Sequence, residues 1–276
     1  MLGIKVSVPI ACFRKGMSRK YLETDEIPPP STCYGFLLSL VGETERERHL
    51  GARVAPVLLK PAEQSVVLRT VWKVDGKPLS LLEEQRFDDL IRQVSTWKAT
   101  KISRDSSENI SSVSDKPSFV GEFDAKRKIR EGNKCPDFQQ LLIDVQLLIW
   151  LDSSNEERPA DSSAANCTLE ERVKIALDPK RRNEIDRFGG LSLGESTHLV
   201  NDISLYYDGN TIVDKTGVSN DNTNPRVLCQ DSKGLQTWPV WVDHVGAEGT
   251  RYVTGSLVPC DLRYPPGQET MPVIHM

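Results

Sequence analysis

The most apolar segment of the chain, residues 141–151, contains 11 residues and is interrupted by Asp144 and Gln146. A helix that crosses a bilayer needs about 20 apolar residues, so this run is too short to span a membrane. Its closely spaced Val, Leu, Ile and Trp residues are instead typical of a buried strand. The segment 138–151 therefore predicts one of the most deeply buried strands of a globular core.

The composition places the chain among soluble globular proteins. It has 276 residues, of which 38% are hydrophobic and 27% are charged, and its formal net charge is −4. Because a globular domain usually contains about 100 to 200 residues, the length predicts one large domain, or one domain with a sizeable insertion. The N-terminal segment lacks the long apolar region of a secretory signal, so we expect a cytoplasmic protein.

Cysteine and histidine residues indicate neither a metal site nor a cofactor. The six cysteines are scattered without a Cys-x-x-Cys spacing, which favours reduced thiols over zinc binding or a disulfide framework. The four histidines are isolated, and no His-Glu-x-x-His motif occurs. A Gly-x-Ser-x-Gly motif is absent as well. We therefore expect no metal, no cofactor and no catalytic residue.

Hydrophobic periodicity predicts a chain that alternates between strands and helices. Prolines before Ser31 exclude a helix there, and Ser31 or Thr32 is expected to cap the first helix, as Thr168 is expected to cap a later one. In chain order we expect strand 4–8, helix 34–41, strands 53–59 and 65–74, helix 81–98, a polar segment 99–133, strand 138–151, helix 169–177, a glycine-spaced element 187–198, strand 199–207, and strands 237–245 and 251–258.

This order is compatible with an α+β, ferredoxin-like fold, in which two helices cover one face of an antiparallel sheet. Residues 1–207 would form that domain, with an inserted arm at about 99–134. Residues 208–276 would form a β-rich C-terminal extension packed on the same domain.

Two short segments are basic although the whole chain is acidic. Residues 126–134 contain five basic residues against one acid, Glu131, which gives a local charge of +4. The loop after the first strand adds Arg14, Lys15, Arg19 and Lys20 without an acid. Such runs are commonly solvated faces, but they are also the surfaces that contact nucleic-acid phosphates.

A glycine- and serine-rich loop lies between the predicted helix 169–177 and the predicted strand 199–207. It contains Gly189, Gly190, Ser192, Gly194 and Ser196. Glycine lets backbone N–H groups approach an anion, and serine hydroxyls with the upstream Arg187 can complete a phosphate contact, as can the downstream His198. The loop lacks the Gly-Lys-[Ser/Thr] of a nucleotide-hydrolysing loop. A tight turn without a ligand is the alternative.

Aromatic residues could stack on exposed bases, and Trp97, flanked by Lys98 and Lys101, is the best candidate. An interface role for Trp97 is equally compatible with the sequence. Tyr34 is a further stacking candidate, whereas Trp150 lies within the apolar strand and is expected in the core.

Two motifs carry a family resemblance. The segment PPSTCYGFLLSLVG, over residues 29–42, resembles the helix entry of the Cas-five family, a branch of the CRISPR-associated RAMP superfamily. LSLGESTHLV, over residues 191–200, is similar to the glycine-loop segment that precedes a strand in that family. With the segment 138–151, the resemblance covers most of residues 4–207.

The resemblance implies an RRM-like ferredoxin fold with a β-hairpin thumb, and a protein that holds the 5′ handle of a CRISPR RNA (crRNA) in a type I Cascade complex. Its implied partners are the crRNA, the backbone RAMP subunit, the large subunit and, through the complex, target DNA, with no membrane. The residues expected to bind RNA are Arg14, Lys15, Arg19, Lys20, Tyr34, Trp97, Lys98, Lys101, Lys126, Arg127, Lys128, Arg130, Arg187, Gly189, Gly190, Ser192, Gly194, Ser196 and His198.

Two alternatives remain open from the sequence. One branch of the family cleaves precursor RNA with a Lys-His pair and a tyrosine, but this chain has no Lys-His dipeptide and no histidine between His49 and His198. A metal-independent endoribonuclease is therefore the second interpretation, after a subunit that binds the handle without cleaving it. A scaffold subunit that does not bind RNA is the third.

Overall fold

The computed structural model describes residues 1–15, 21–72, 81–105, 117–132, 134–157, 167–187, 189–213, 224–243 and 248–276. The chain divides into two compact units. The first comprises Met1–Val67 and Gln139–Met276, and the second comprises Leu68–Phe138. No helix among the described residues combines the length and the apolarity that crossing a membrane requires.

Strands dominate the first unit. The described strands are β1 (Leu2–Ala11), β2 (Tyr21–Leu22), β3 (Arg53–Leu58), β4 (Glu63–Trp72), β5 (Lys134–Asp152), β6 (Asp202–Tyr207), β7 (Arg226–Gln230), β8 (Gln236–Trp241) and β9 (Arg251–Pro259). The helices are α1 (Pro30–Leu40), α2 (Leu81–Asp105), α3 (Ser118–Gly132) and α4 (Leu169–Leu177), with short 3₁₀ turns at Arg182–Glu184 and Gln268–Thr270.

The central strands follow the order β6-β1-β5-β3 and the sheet continues through β7, β9 and β8. Strand β5 is antiparallel to both β1 and β3, with Leu151 aligned to Leu2 on one side and to Val54 on the other. Strand β1 is also antiparallel to β6. Helix α1 connects β1 to β3, and α4 connects β5 to β6, so each helix carries the chain past a strand that lies between the two it joins.

Both faces of β5 are buried over residues 147–151, as their continuous apolar sequence predicts. Leu147 and Ile149 are fully buried in the larger core cluster, which also contains residues of α1 and α4. Leu148 and Trp150 belong to a second cluster with Tyr206 from β6. The Trp150 and Tyr206 rings meet edge to face, with their centroids 6.2 Å apart. The prediction of a deeply buried strand, with Trp150 in the core, is confirmed for residues 147–151. It is wrong for Phe138 and Ile143, which are 49% and 37% exposed.

Helix α4 begins as its sequence predicts. The Thr168 hydroxyl accepts a hydrogen bond from the Glu171 backbone N–H, and the Glu171 carboxylate accepts one from the Thr168 N–H. This reciprocal pair satisfies two donors that a helix start would otherwise leave unbonded. Helix α1 differs from the prediction, because it begins at Pro30 after Pro29, without a side-chain cap from Ser31 or Thr32. Proline suits a first helical position, where no N–H partner is required.

The second unit contains a pair of helices. In α2 and α3, the rings of Phe87 and Phe123 stack with their centroids 5.5 Å apart, and Leu90 is fully buried. Arg86 pairs with Glu122 at 3.0 Å on the exposed side of these helices. The β-hairpin thumb implied by the resemblance is therefore wrong for residues 99–105 and 118–132, which are helical. Apolar residues spaced three or four apart supply the buried face that the polar composition obscures.

The C-terminal part extends the sheet of the first unit. Val227 of β7 aligns with Val57 of β3, and β9 lies between β7 and β8. The terminal segment then returns to β3, where Ile274 donates a backbone hydrogen bond to Ala52 and Val54 donates one to Pro272. Ile274 is fully buried. The last residues of the chain therefore contribute directly to the core.

Candidate nucleic-acid interface

The first basic loop and the glycine loop meet at the surface of the first unit. The Nε atom of Arg14, which follows β1, donates a hydrogen bond of 2.9 Å to Oε1 of Glu195. The Nη2 atom of Arg14 lies 2.8 Å from the same oxygen, and 53% of the arginine side chain remains exposed. Lys15 beside it is also exposed. The structure thus brings together two segments that are 181 residues apart.

Glycine is required at position 194 because the glycine loop lies close to the backbone of Cys12. Its backbone has a φ of +91°, and a Cβ atom at this position would lie 2.7 Å from the Cys12 carbonyl oxygen. The left-handed conformation and the contact both favour glycine. Gly190 differs, because the nearest atom to its would-be Cβ is Cδ2 of Leu199 at 3.4 Å. Gly189 has a φ of +83° but open space around it.

A short hairpin holds the remainder of the glycine loop. Ser192 forms an isolated bridge with Leu199, the His198 N–H donates to the Glu195 carbonyl, and the Leu193 N–H donates to the His198 carbonyl. Leu193 is fully buried and anchors the loop to the core. Gly189, Gly190 and Ser196 are exposed, whereas Ser192 and His198 are half-buried. The exposed backbone of this loop can be approached from solvent.

Arg187 precedes the glycine loop and lies against the backbone that follows α1. Gly42, just after α1, has a φ of +65°, and its would-be Cβ would lie 1.9 Å from the Asp186 carbonyl oxygen and 3.3 Å from Cα of Arg187. Glycine at position 42 therefore permits main-chain contact with residues 186–187. Arg187 itself is exposed and stands at the base of the glycine loop.

Tyr34 lies in the core and not on this surface. Its side chain is 2% exposed, and its hydroxyl donates a hydrogen bond of 2.6 Å to the Arg46 carbonyl oxygen. Burial raises the pKa of the Tyr34 hydroxyl well above its ordinary value. A ring enclosed in this way has no free face for a base, so the expectation that Tyr34 stacks on RNA is corrected.

The other predicted RNA-binding residues belong to the second unit or lie outside the described residues. Trp97 is half-buried on α2, and Lys98 and Lys101 follow it on the same helix. Helix α3 contains Lys126, Arg127, Lys128 and Arg130. Arg19 and Lys20 lie outside the described residues. The side chains of Lys98, Lys101, Lys126, Arg127, Lys128 and Arg130 lie outside the described part of the structure, so their role in RNA binding stays a prediction.

Sequence reasoning missed one basic group on the first unit. Lys180, Arg181 and Arg182 follow α4, and all three are exposed. Arg181 forms an ion pair with Glu184 at 2.9 Å. Within the described part of the chain, Arg182 and Arg187 form no ion pair, and both line the same cleft. The run of three consecutive basic residues was the available signal.

Across the described ranges, no group of three His, Cys, Asp or Glu side chains is arranged to hold a metal ion.

Comparison with known proteins identifies the family. The chain is 37% identical over 257 residues to the CRISPR-associated protein Cas5 of Myxococcus xanthus (strain DK1622), which covers 93% of this chain and 90% of the relative. The chain belongs to the Cas5 family. This confirms the family resemblance of the glycine loop and the first helix. No protein-family model matches this Cas5-family chain.

Two solved structures are similar to this Cas5-family chain over most of its length. A chain of a CRISPR RNA-guided surveillance complex aligns with a TM-score of 0.46 at 10% identity, covering 98% of this chain and 95% of the other. A crystal structure of a Cas protein aligns with a TM-score of 0.42 at 12% identity, covering 96% and 98%.

Proposed function

We propose that this Cas5-family chain binds the 5′ handle of a crRNA as a non-catalytic subunit of a type I Cascade complex. The observation that carries the proposal is the contact between Arg14 and Glu195, which joins the basic loop after β1 to the glycine loop. The proposed partners are the crRNA, the backbone RAMP subunit and the large subunit, and target DNA through the complex. We place this activity in the cytoplasm.

The chemistry of the joined loops suits single-stranded RNA. Arg14 and Lys15 supply exposed positive charge, and Gly189 and Gly190 expose backbone that can approach a phosphate. Proteins grip single-stranded RNA by such phosphate contacts together with stacking and hydrogen bonds to base edges. The Glu195 carboxylate offsets part of the charge of Arg14 but holds the guanidinium at the edge of the glycine loop.

We infer that the first unit is built on a ferredoxin-like, RRM-like core of the RAMP type. The support is the strand order β6-β1-β5-β3 with α1 and α4 as the two crossovers, since a split βαβ arrangement repeated in this way defines that topology. The helical unit between β4 and β5 occupies the chain position of the thumb insertion. Its basic residues Lys126, Arg127, Lys128 and Arg130 are proposed to contact the crRNA backbone.

A non-catalytic role is supported by the burial of Tyr34. Metal-independent RNA cleavage requires a general base and a group that stabilises developing charge, both within reach of the RNA. The Tyr34 hydroxyl is bonded inside the core, and its raised pKa opposes ionisation. The burial of Tyr34 therefore supports a subunit that does not cleave RNA with this hydroxyl.

The salt dependence of RNA binding tests this proposal. The purified chain is titrated into a fluorescent single-stranded repeat RNA at several salt concentrations, and the dissociation constant is measured by anisotropy. Phosphate binding predicts that affinity weakens linearly on a log–log plot as salt rises. A scaffold subunit whose basic loops are only solvated would show no measurable binding at low salt, and that result would contradict the proposal.

A further inference from the structure

A cleft of about 510 Å³ lies beside the glycine loop, between the ends of α1 and α4 and the 3₁₀ turn that follows α4. Its inner surface includes the aliphatic side chains of Leu177, Ile185 and Leu191, each half-buried. Leu191 is also the first residue of the glycine-loop hairpin, where its carbonyl accepts a hydrogen bond from the Val200 N–H. The cleft is therefore continuous with the proposed RNA surface.

The rim of the cleft is cationic and polar. Arg182 and Arg187 both line it, and both are exposed. Asn183, between them in the chain, also lines the cleft and supplies an amide with two donors and one acceptor oxygen. Aliphatic walls with a few polar groups at the mouth are typical of small-ligand sites, and the volume falls within their usual range of roughly 300 to 1,000 Å³.

We propose that this cleft receives one nucleotide of the bound RNA. The base would enter against Leu177, Ile185 and Leu191, the Asn183 amide would bond its edge, and Arg182 and Arg187 would contact the flanking phosphates. Guanidinium groups and exposed base edges are the elements by which proteins recognise unstacked single-stranded bases. The inference rests on the proposed function, and it assigns base preference to a site next to the glycine loop.

RNA accounts for the combination of features better than an acidic peptide does. An acidic segment would use the two arginines but would leave the aliphatic floor without a large flat partner. A nucleotide combines an apolar base face with an anionic phosphate, and the residues that line the cleft combine aliphatic side chains with two arginines. Poly-glutamate is therefore the competing probe in the test.

The experiment uses the purified full-length chain and fluorescent RNA octamers. The RNA probes are the four homopolymers of A, C, G and U, together with an octamer of abasic ribose phosphate, and fluorescent poly-glutamate is the competing probe. Arg182→Ala is expected to weaken binding of all RNA probes by about tenfold, the usual scale for a lost charged hydrogen bond. Arg181→Ala is the matched control, because Arg181 has the same charge, is adjacent in sequence and does not line the cleft. It is expected to change affinity by less than about twofold.

Two further variants separate base binding from phosphate binding. Ala176→Trp would place an indole in the cleft and should weaken the homopolymers by about tenfold while leaving the abasic octamer unchanged. Asn183→Ala, at an exposed position, should reduce the difference in affinity among the four homopolymers. Thermal unfolding of each variant shows whether it remains folded. If Ala176→Trp unfolds at a lower temperature than the wild type, nucleotide binding in the cleft is judged from Asn183→Ala and Arg182→Ala, which replace exposed side chains.

The outcomes distinguish failure of the nucleotide site in the cleft from failure of the proposed RNA-binding function. If wild-type protein binds RNA and neither Arg182→Ala nor Asn183→Ala differs from Arg181→Ala, the cleft does not receive a nucleotide, although the proposed function stands. If poly-glutamate binds more tightly than any RNA and only its binding falls in Arg182→Ala, the cleft is a peptide site. If wild-type protein binds no RNA probe, the proposed function fails and this inference fails with it.

Discussion

Arg172 of α4 donates a hydrogen bond of 2.9 Å from its Nη2 atom to the main-chain carbonyl oxygen of Val41, the residue that follows α1. Its Nη1 atom pairs with the Glu43 carboxylate, which also accepts a hydrogen bond of 2.8 Å from Arg48. The Glu43 side chain is 4% exposed. One arginine thus satisfies a helix-end carbonyl and a buried carboxylate and joins the two helices that cover the sheet.

This arrangement predicts a contribution of Glu43 to the pH dependence of stability. Burial acts to raise the pKa of Glu43, but hydrogen bonds from the Glu45 N–H, Arg172 and Arg48 outweigh it, so the pKa lies below its ordinary value. The contribution is therefore fully present above the pKa of the unfolded chain and is lost as pH falls through the lower, folded pKa. Urea unfolding over acidic to neutral pH measures this slope.

Glu43→Gln should flatten that slope and lower the free energy of unfolding at neutral pH by about 1 to 3 kcal/mol, because buried donors lose a charged acceptor. Glu45→Gln is the control, since the Glu45 side chain is 70% exposed. It should change stability by less than about 1 kcal/mol. Equal effects of the two substitutions would show that the buried pairing of Glu43 is unimportant for stability.

Gly194→Ala is expected to destabilise the first unit by about 1 to 3 kcal/mol, because alanine would adopt a left-handed conformation and its Cβ would contact the Cys12 carbonyl. Gly190→Ala is the matched control within the same loop, where the added methyl group makes only ordinary contact with Leu199. Thermal unfolding compares the two. If both variants melt with the wild type, the close approach between the loop and Cys12 does not restrict residue 194.

The RNA affinity of Gly190→Ala is informative in its own right. Because the substitution leaves the loop intact but adds a group to its exposed backbone, it is expected to weaken RNA binding more than it weakens folding. Normal RNA affinity in a stable Gly190→Ala protein would mean that the glycine loop is a structural turn and does not cradle phosphates.

The double substitution of Arg14 and Lys15 by Ala should reduce the salt dependence of RNA binding. Each lost phosphate contact on a single strand removes roughly 0.7 from the slope of log affinity against log salt concentration, so two contacts remove about 1.4. Lys233 and Arg251, exposed cations of the C-terminal part of the sheet, form the control pair. A similar change of slope in both double variants would indicate nonspecific charge and no localised RNA site.

The purified chain should leave a CRISPR repeat RNA intact. Incubation of labelled repeat RNA with the protein, with and without a metal chelator, followed by gel electrophoresis, checks this expectation. Specific cleavage at the handle boundary would favour the ribonuclease interpretation. In that case Tyr34→Phe and His198→Ala would be compared, and loss of cleavage in the first would contradict the structural role that burial assigns to Tyr34.

Local patterns in the sequence predicted the elements whose signals lie within a few residues. The capping box of Thr168 and Glu171 and the apolar run of β5 are of this kind, since hydrogen bonds of a helix start and burial of a strand depend on neighbouring side chains. Helix α3 was missed because its charged residues outnumber its apolar ones, such as Val120, which is buried, and Phe123, which stacks on Phe87.

The sequence by itself determined the family, the buried central strand and the types of residue that the candidate surface contains. Only the tertiary structure decided that Arg14 meets Glu195, that Tyr34 is enclosed, and that Arg182 and Arg187 share a cleft. The physical reason is that these relationships depend on strand register and helix packing between distant segments. No local period or cap specifies that two loop residues 181 positions apart come into contact.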